Sequence, residues 1–349
     1  MRVFVYEFVT GGGTWHTVGS IDPAGSLLDE GAAMAESIVA DLMAASIQVT
    51  AMLDARLHEQ IRLSCPIELV ANSADETRIF DRLVREADAT LLLAPEIGGV
   101  LLARCRRVES LGGRLVSPDS NFVAIAADKH ATAQHLRCSE VRVPDGIRLD
   151  LRLTALAPSL FPAVLKPCDG AGSWQICRID DVDELRRQLE NPSVQAELAC
   201  GNLRLERFVS GIAASVAVLC GSKQRLALEP CQQILAGHGF EYQGGRLPLA
   251  APLARRARQL ALAAIEAMPP AIGYVGVDLV LGDAADGSQD FLIEINPRLT
   301  TSYVGLRAVC RQNLAAAMLD VAAGRRATLS FDPKPLEFRA SGTLIGSCP

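Results

Sequence analysis

The sequence of 349 residues lacks the features that mark several classes of protein. It has no window of 18 apolar residues, so we expect no membrane-spanning helix. It begins directly with a strand pattern, without the charged segment and long apolar stretch of a signal peptide. A net charge of −6 gives no basic footprint for nucleic acid. We therefore expect a cytoplasmic protein with neither a membrane nor a nucleic-acid partner.

The cysteines also lack a functional pattern. All ten are scattered singly, with no C-x-x-C pair and no histidine at metal-ligand spacing. A chain of this length buries enough apolar surface to fold without disulfide bonds. We therefore expect reduced cysteines that serve as small core residues. Hydrophobic residues make up 49% of the chain and charged residues 21%, which is typical of a globular enzyme.

The first 120 residues alternate between strand and helix patterns. An apolar strand over residues 2–9 runs into Gly11-Gly12-Gly13, and a helical face follows over residues 29–45. This alternation predicts a mostly parallel sheet covered on both faces, as in a Rossmann-like α/β lobe. The glycines do not form a dinucleotide-binding loop, because G-x-G-x-x-G is absent and the next helix begins too far away.

After Pro118 the pattern changes, and neighbouring strands follow one another through turns, as in α+β lobes. We expect residues 203–209 and 214–220 to be neighbouring strands joined by a turn, and residues 274–281 and 290–295 to form a hairpin. We expect an N-terminal lobe at residues 1–120 and a lobe with a glycine-rich loop at residues 121–205. A lobe with a metal-binding hairpin should follow at residues 206–330, and a polar tail at residues 331–349.

The predicted hairpin carries the most specific motif, which ends at Glu294, Asn296 and Arg298. Side chains alternate along a strand, so Glu294 and Asn296 share one face, and Asp278 lies on the partner strand. Carboxylate and carboxamide oxygens suit Mg²⁺, and a nearby arginine can neutralise a phosphate or carboxylate. The alternative is a solvent-facing acidic residue, but the surrounding strand is apolar and an unpaired carboxylate there would be costly.

Three further elements are weak when taken singly. Lys166 precedes Gly170, Gly172 and Ser173, so a cation and backbone N–H groups could meet phosphate oxygens, although an ordinary turn fits equally well. The order of lysine and glycines differs from a Walker loop. Lys129 begins a predicted helix, where a solvated position is the simple alternative. The strand segment with Glu206, Phe208 and Val209 carries no signal of its own.

In this order, however, the elements resemble the ATP-grasp superfamily over essentially the whole chain. They are Asp128-Lys129, residues 164–167 with Gly170, Gly172 and Ser173, residues 206–209, Val277-Asp278 and residues 294–298. Residues 296–306 and the opening residues 5–13 are also similar to the group that includes tyramine–glutamate ligase of methanofuran biosynthesis. The resemblance implies an ATP-grasp fold preceded by a parallel-sheet pre-ATP-grasp lobe.

The resemblance also implies an activity, namely ATP-dependent ligation of a carboxylate to an amine through an acylphosphate. It implies ATP with Mg²⁺, or Mn²⁺ in its place. The implied phosphate contacts are Lys129 and Lys166, with Gly170, Gly172 and Ser173 as a lid loop. The implied adenine contacts are Glu206, Phe208 and Val209. The implied metal ligands are Asp278, Glu294 and Asn296. Arg298 and Lys166 are the implied catalytic groups, and a homodimer is a candidate assembly.

Within the similar group, glutamate is the expected acid, and tyramine or a tyrosine-like amine is the expected nucleophile. Thr300, Ser302 and Tyr303 follow the metal strand and are candidates for the substrate pocket, with helix capping as the alternative role. No acidic residue in the segment 210–215 is available to hold a ribose. Two other functions stay open: an ATP-grasp amino-acid ligase with a different substrate pair, and a non-catalytic nucleotide-binding protein.

Overall fold

The computed structural model describes residues 1–150, 158–170 and 175–346 of the chain. This part folds into three β-sheets, one of them parallel and two antiparallel, with helices packed on them. Among the described helices, none is long and apolar enough to cross a membrane.

The N-terminal lobe contains a four-stranded sheet in the order β3-β2-β1-β4, and all of its strand pairs are parallel. Its elements are β1 (Arg2–Glu7), α1 (Ser26–Ala44), β2 (Gln48–Asp54), β3 (Ile67–Val70), α2 (Ser73–Glu86), β4 (Ala89–Leu93) and α3 (Val100–Ser110). The predicted parallel α/β lobe is therefore confirmed. Beyond α3, Leu115 forms a single parallel bridge with Thr90 of β4.

The second sheet has the order β5-β8-β6-β7 and is antiparallel. The elements of this region are α4 (Ser120–Ala126), α5 (Lys129–His135), β5 (Gly146–Arg148), β6 (Ala163–Pro167), β7 (Cys177–Ile179), α6 (Val182–Leu189), α7 (Pro192–Ala199) and β8 (Leu203–Arg207). The side chain of Asp128 caps α5 by accepting a hydrogen bond from the backbone N–H of Ala131. The expected boundary between residues 205 and 206 falls inside β8.

The third sheet has eight strands in the order β14-β13-β9-β11-β12-β15-β16, with β10 paired to β9. Its strands are β9 (Ile212–Cys220), β10 (Arg225–Ala227), β11 (Cys231–Ala236), β12 (Glu241–Leu247), β13 (Gly273–Leu281), β14 (Phe291–Asn296), β15 (Leu336–Arg339) and β16 (Leu344–Gly346). Its helices are α8 (Ala251–Ala267), α9 (Ser302–Val309) and α10 (Leu314–Ala322). The antiparallel pairing of β13 with β14 is the predicted hairpin. The expected polar tail contributes the two strands β15 and β16.

The prediction that β8 and β9 are neighbouring strands is wrong. β8 pairs with β5 and β6, whereas β9 pairs with β10, β11 and β13. Between them Gly211 has a φ of 154°, and a Cβ atom there would overlap the backbone of Leu281. The glycine thus lets the chain pass from one sheet to the other instead of turning back, and both sheets supply residues to the wall of one cavity.

A shared hydrophobic core fixes the N-terminal lobe against the third sheet. One cluster joins Ile38 and Leu42 of α1 to Tyr303 of α9 and Met318 of α10, and all four side chains are buried. Close packing of these buried side chains makes the contact between the N-terminal lobe and the third sheet rigid. It brings one end of α1 and the loop after β4 close to the end of β14.

Candidate active site

A cavity of about 290 Å³ lies where the second and third sheets meet the N-terminal lobe. The structure brings most of the predicted site residues into its wall: Lys129, Lys166, Glu206, Phe208, Val209, Asp278, Glu294, Asn296, Arg298, Thr300 and Ser302. We call the part formed by Lys129, Lys166, Glu206 and Phe208 the lysine end. We call the part formed by Glu30, Arg298, Thr300 and Ser302 the arginine end.

Between the two ends, the hairpin of β13 and β14 places two carboxylates side by side. Asp278 and Glu294 are direct cross-strand partners, and a bulge follows Asp278. The Nδ2 group of Asn296 and the Nε2 group of Gln233 each donate a 3.0 Å hydrogen bond to the Asp278 carboxylate. Strand alternation therefore does put Glu294 and Asn296 on the face that meets Asp278. Gln233 was not foreseen, because β11 carries no motif.

The two carboxylates have opposite electrostatic surroundings. Burial and the neighbouring charge of Glu294 raise the pKa of Asp278 to about 7. Burial also opposes ionisation of Glu294, but the ammonium groups of Lys129 and Lys166 outweigh it and lower its pKa to about 2. Two half-buried carboxylates beside a carboxamide are the oxygen donors that a hard divalent cation prefers, and a cation would relieve their repulsion. These residues therefore fit Mg²⁺.

Lys129 links the metal strand to the glycine-rich loop. Its Nζ atom lies 3.0 Å from Oε2 of Glu294 and donates to the backbone oxygen of Gly170 at 3.3 Å. The side chain is buried at the first position of α5, so it has little freedom to turn towards solvent. The predicted lid residues Gly172 and Ser173 lie outside the described residues.

Lys166 is part of a buried group of alternating charges. Its Nζ atom forms an ion pair with one oxygen of Glu206, and the other oxygen accepts a 2.7 Å hydrogen bond from Nε of Arg204. A second guanidinium nitrogen of Arg204 donates to the carbonyl of Pro144 at 3.0 Å. Arg204 was missed, although it precedes Glu206 by two residues and so shares its face of β8. The lysine end thus has an excess of positive charge, which suits a polyanion.

An aromatic slot adjoins these charges. The rings of Phe208 and Phe240 are stacked, with centroids 6.1 Å apart and planes 22° from parallel. The Arg178 guanidinium lies 4.7 Å from the centroid of Phe208. Val209 and Leu235 add apolar surface to the wall of the same cavity. A flat heteroaromatic ring can pack in such a slot by stacking and dispersion. Phe240 gave no sequence signal, since it lies in the loop between β11 and β12.

At the arginine end, Arg298 is held in one orientation by the N-terminal lobe. Its Nε and one terminal nitrogen each donate a 3.0 Å hydrogen bond to a different oxygen of Glu96, which lies between β4 and α3. Such a bidentate pair fixes the plane of the guanidinium. Nearby, Oε2 of Glu30 accepts a 3.1 Å hydrogen bond from Oγ1 of Thr301. Glu30 and Glu96 were not predicted, because no local pattern links them to Arg298.

The residues after β14 divide between the cavity and the core. Thr300 and Ser302 line the cavity, and their hydroxyls lie 2.9 Å apart and 3.1 Å each from the hydroxyl of Tyr274. Tyr303 does not line the cavity: it is fully buried, and its hydroxyl donates a 2.6 Å hydrogen bond to Asp41 of α1. None of these hydroxyls caps α9, which has no side-chain cap.

The three glycines after β1, Gly11-Gly12-Gly13, allow close backbone packing and do not form part of the cavity. They lie between β1 and α1 and are absent from its wall. Gly12 has a φ of 90°, and a Cβ atom on Gly13 would overlap the ring of Phe8. Close backbone packing therefore explains the glycines.

Comparison with known protein families identifies two domains that together contain most of the residues of this cavity. The family model described as an ATP-grasp domain matches residues 126–302, and the model of the pre ATP-grasp 3 domain matches residues 47–144. The chain belongs to the ATP-grasp family. It is therefore an ATP-grasp carboxylate–amine ligase, an amide-forming enzyme that uses ATP and Mg²⁺. The N-terminal parallel-sheet lobe is the pre-ATP-grasp domain that the sequence predicted.

Individual relatives are more distant. The tyramine–L-glutamate ligase of Methanocaldococcus fervens is 25% identical over 269 residues, which cover 77% of this chain and 78% of that protein. The ligase of the same name from Methanocaldococcus jannaschii is 26% identical over 224 residues, covering 63% of this chain and 58% of that protein.

Solved structures share the fold at low sequence identity. An ATP-grasp superfamily protein from Archaeoglobus fulgidus superposes with a TM-score of 0.70 at 23% identity, covering 97% of this chain and 92% of that chain. An L-amino acid ligase from Bacillus licheniformis gives a TM-score of 0.66 at 15% identity, covering 92% and 74%. Both likenesses concern the fold alone.

Proposed function

We propose that this ligase joins glutamate to tyramine, or to a tyrosine-like amine, in the biosynthesis of a methanofuran-type cofactor. The observation that carries the proposal is the convergence of the carboxylate hairpin, two buried lysines and Arg298 around one cavity. The two relatives named tyramine–L-glutamate ligase support the choice of substrates.

The lysine end is proposed to bind ATP. The phosphates would lie against Lys129 and Lys166, which now pair with Glu294 and Glu206, and the base would occupy the slot at Phe208. Phosphate oxygens can share these ammonium groups, because each has three donors. The backbone near Val209 and the carboxylate of Glu206 would face the polar edge of the base.

Asp278, Glu294 and Asn296 are proposed to hold Mg²⁺ between the two ends of the cavity. Within the described residues, no group of three or more His, Cys, Asp or Glu side chains is arranged to hold a metal ion. Two carboxylates and one amide would therefore share the cation with phosphate oxygens and water, as is usual for Mg²⁺. When bound, the ion neutralises charge on the phosphates. Gln233 keeps Asp278 in position by its hydrogen bond to the carboxylate.

Arg298 is proposed to stabilise both chemical steps. First, a carboxylate oxygen of the acid attacks the γ-phosphorus, and ADP leaves with the electrons of the broken bond. The amine nitrogen then attacks the acyl carbon, phosphate leaves, and the nitrogen loses a proton. Negative charge on the transferred phosphoryl group persists throughout, and the guanidinium held by Glu96 is preorganised to meet it. Exclusion of water from the site during the reaction would protect the acylphosphate from hydrolysis.

A substrate panel tests the proposal. Acids and amines are offered in all pairs with ATP and Mg²⁺, and ADP release and product mass are measured. We expect ADP release to depend on both glutamate and tyramine, with a product equal in mass to their sum less one water. Product from another pair, with none from glutamate and tyramine or tyrosine, would reject the proposed substrates.

A further inference from the structure

The arginine end contains more negative than positive charge. Glu96 already engages two nitrogens of Arg298. Burial raises the pKa values of two further carboxylates, those of Glu7 and Glu30, and the same guanidinium lies close enough to oppose part of that rise. Three carboxylates of the N-terminal lobe thus surround one arginine. Such an excess is unexpected where an acidic substrate must bind, unless a second positive charge arrives with a substrate.

Glu30 is the member of this group that a ligand can reach. It lines the cavity, whereas Glu7 does not. The carboxylate of Glu7 accepts a 2.6 Å hydrogen bond from the backbone N–H of Thr10 and packs so closely on Gly31 that a Cβ atom there would lie 2.7 Å from Oε1. Glu7 is therefore enclosed by its own lobe, and Glu96 is occupied by Arg298.

Glu30 also differs from the other glutamates of the cavity wall. Glu206 and Glu294 each pair with a lysine, but within the described residues Glu30 has no ion pair, and its hydrogen bond comes from the neutral hydroxyl of Thr301. Burial raises the pKa of Glu30, and the Thr301 hydroxyl and the more distant charge of Arg298 only partly oppose this. A half-buried carboxylate without a cation is costly, and a ligand cation would offset that cost.

We propose that Glu30 binds the ammonium group of a substrate at the arginine end. Thr300 and Ser302 belong to the same end, Tyr242 also lines the cavity, and a hydroxyl oxygen can accept an ammonium hydrogen. This inference rests on the proposed function, in which both substrates, glutamate and tyramine, carry an ammonium group. The shared chemistry is the ammonium, and the experiment identifies which substrate supplies it.

Glu30→Gln removes the charge and keeps the shape of the side chain. The matched control is Asp29→Asn, which removes a carboxylate one residue earlier at an exposed position of α1. A first assay contains ATP, glutamate and hydroxylamine, so it forms the hydroxamate without the amine substrate. If Glu30 holds the ammonium of glutamate, Glu30→Gln should raise the KM for glutamate about 10- to 100-fold, with the KM for ATP within about twofold.

A second assay is the complete reaction with tyramine. If the KM for glutamate is unchanged and the KM for tyramine rises by the same factor, Glu30 binds the ammonium of the amine. Glu30→Asp, which keeps the charge, should restore part of the affinity in either case. Unchanged KM values for both substrates in a folded Glu30→Gln enzyme would overturn the proposal. So would equal losses for all substrates, since a merely structural role predicts them.

A substrate analogue gives a measurement on the unmodified enzyme. If the acid's ammonium binds Glu30, the wild type should prefer glutamate over glutarate, which lacks the ammonium, about 10- to 100-fold in kcat/KM. That preference should largely disappear in Glu30→Gln, even if the variant is less stable. If the panel instead identifies another acid and amine, the proposed substrates are rejected, and the same variants and des-amino analogues are assayed with that pair. The role of Glu30 is thus decided separately.

Discussion

The two ends of the cavity balance their charges in different ways. At the lysine end, Glu206 pairs with both Lys166 and Arg204 within the one sheet that contains β6 and β8, which leaves an excess of positive charge. At the arginine end, Arg298 takes its partner from the N-terminal lobe, and Glu30 has no cationic partner within the described residues. The comparison indicates that the proposed nucleotide site is built from the second and third sheets. The proposed substrate site depends instead on how the N-terminal lobe packs against these sheets.

Among the variants, Glu294→Ala should lower activity most, because Glu294 lies on the hairpin between the two ends of the cavity. Glu294→Ala should lower kcat by about 10²- to 10³-fold, because it removes a proposed metal ligand and the partner of Lys129. Steady-state ADP release measures the effect, and Glu59→Ala, at an exposed site, is the control. Full activity of Glu294→Ala would show that the hairpin does not hold the metal.

Replacement of Arg298 should affect the arginine end more than the lysine end. Arg298→Lys keeps the charge but cannot form the bidentate pair with Glu96, so we expect kcat to fall about 10- to 100-fold and the KM for ATP to change little. Arg307→Lys is the matched control, since Arg307 forms a similar pair with Asp41 outside the cavity wall. If kcat fell equally in the two variants, the proposed role of Arg298 in stabilising the transferred phosphoryl group would be contradicted.

The same comparison explains what the sequence could predict. Glu294, Asn296 and Asp278 were predictable because strand alternation and a hairpin register place side chains without knowledge of distant contacts. Lys166 was found similarly, from its position at the end of an apolar strand. These residues belong to motifs whose order identifies the ATP-grasp family.

Residues positioned by contacts between lobes could not be predicted. Glu30 and Glu96 lie about 200 residues or more before their partners Thr301 and Arg298, and no periodicity connects them. The pairing of β8 with β5 and β6, rather than with β9, likewise depends on which sheet offers a free edge. Strand patterns specify which face of a strand is buried, but not which strand is its partner.

The aromatic slot allows a milder test of the lysine end. Phe208→Leu removes the stack with Phe240 and the contact with Arg178, so the KM for ATP should rise about 3- to 10-fold. We expect the KM values for glutamate and tyramine to stay within about twofold. Phe331→Leu, outside the cavity wall, is the control. A larger rise in the KM for glutamate than in the KM for ATP would indicate that the adenine base of ATP binds outside this slot.

Tyr303 should have the smallest effect on catalysis, although its place beside Thr300 and Ser302 suggested a substrate contact. Tyr303→Phe removes a buried hydrogen bond to Asp41, so we expect the free energy of unfolding to fall by about 1 to 2 kcal/mol, measured by urea denaturation. Every KM and kcat should stay within about twofold, because the side chain faces the core shared with α1. A tenfold change in the KM for either substrate at unchanged stability would return Tyr303 to the substrate site. That result would also indicate that Tyr303 becomes part of the arginine end when substrates bind.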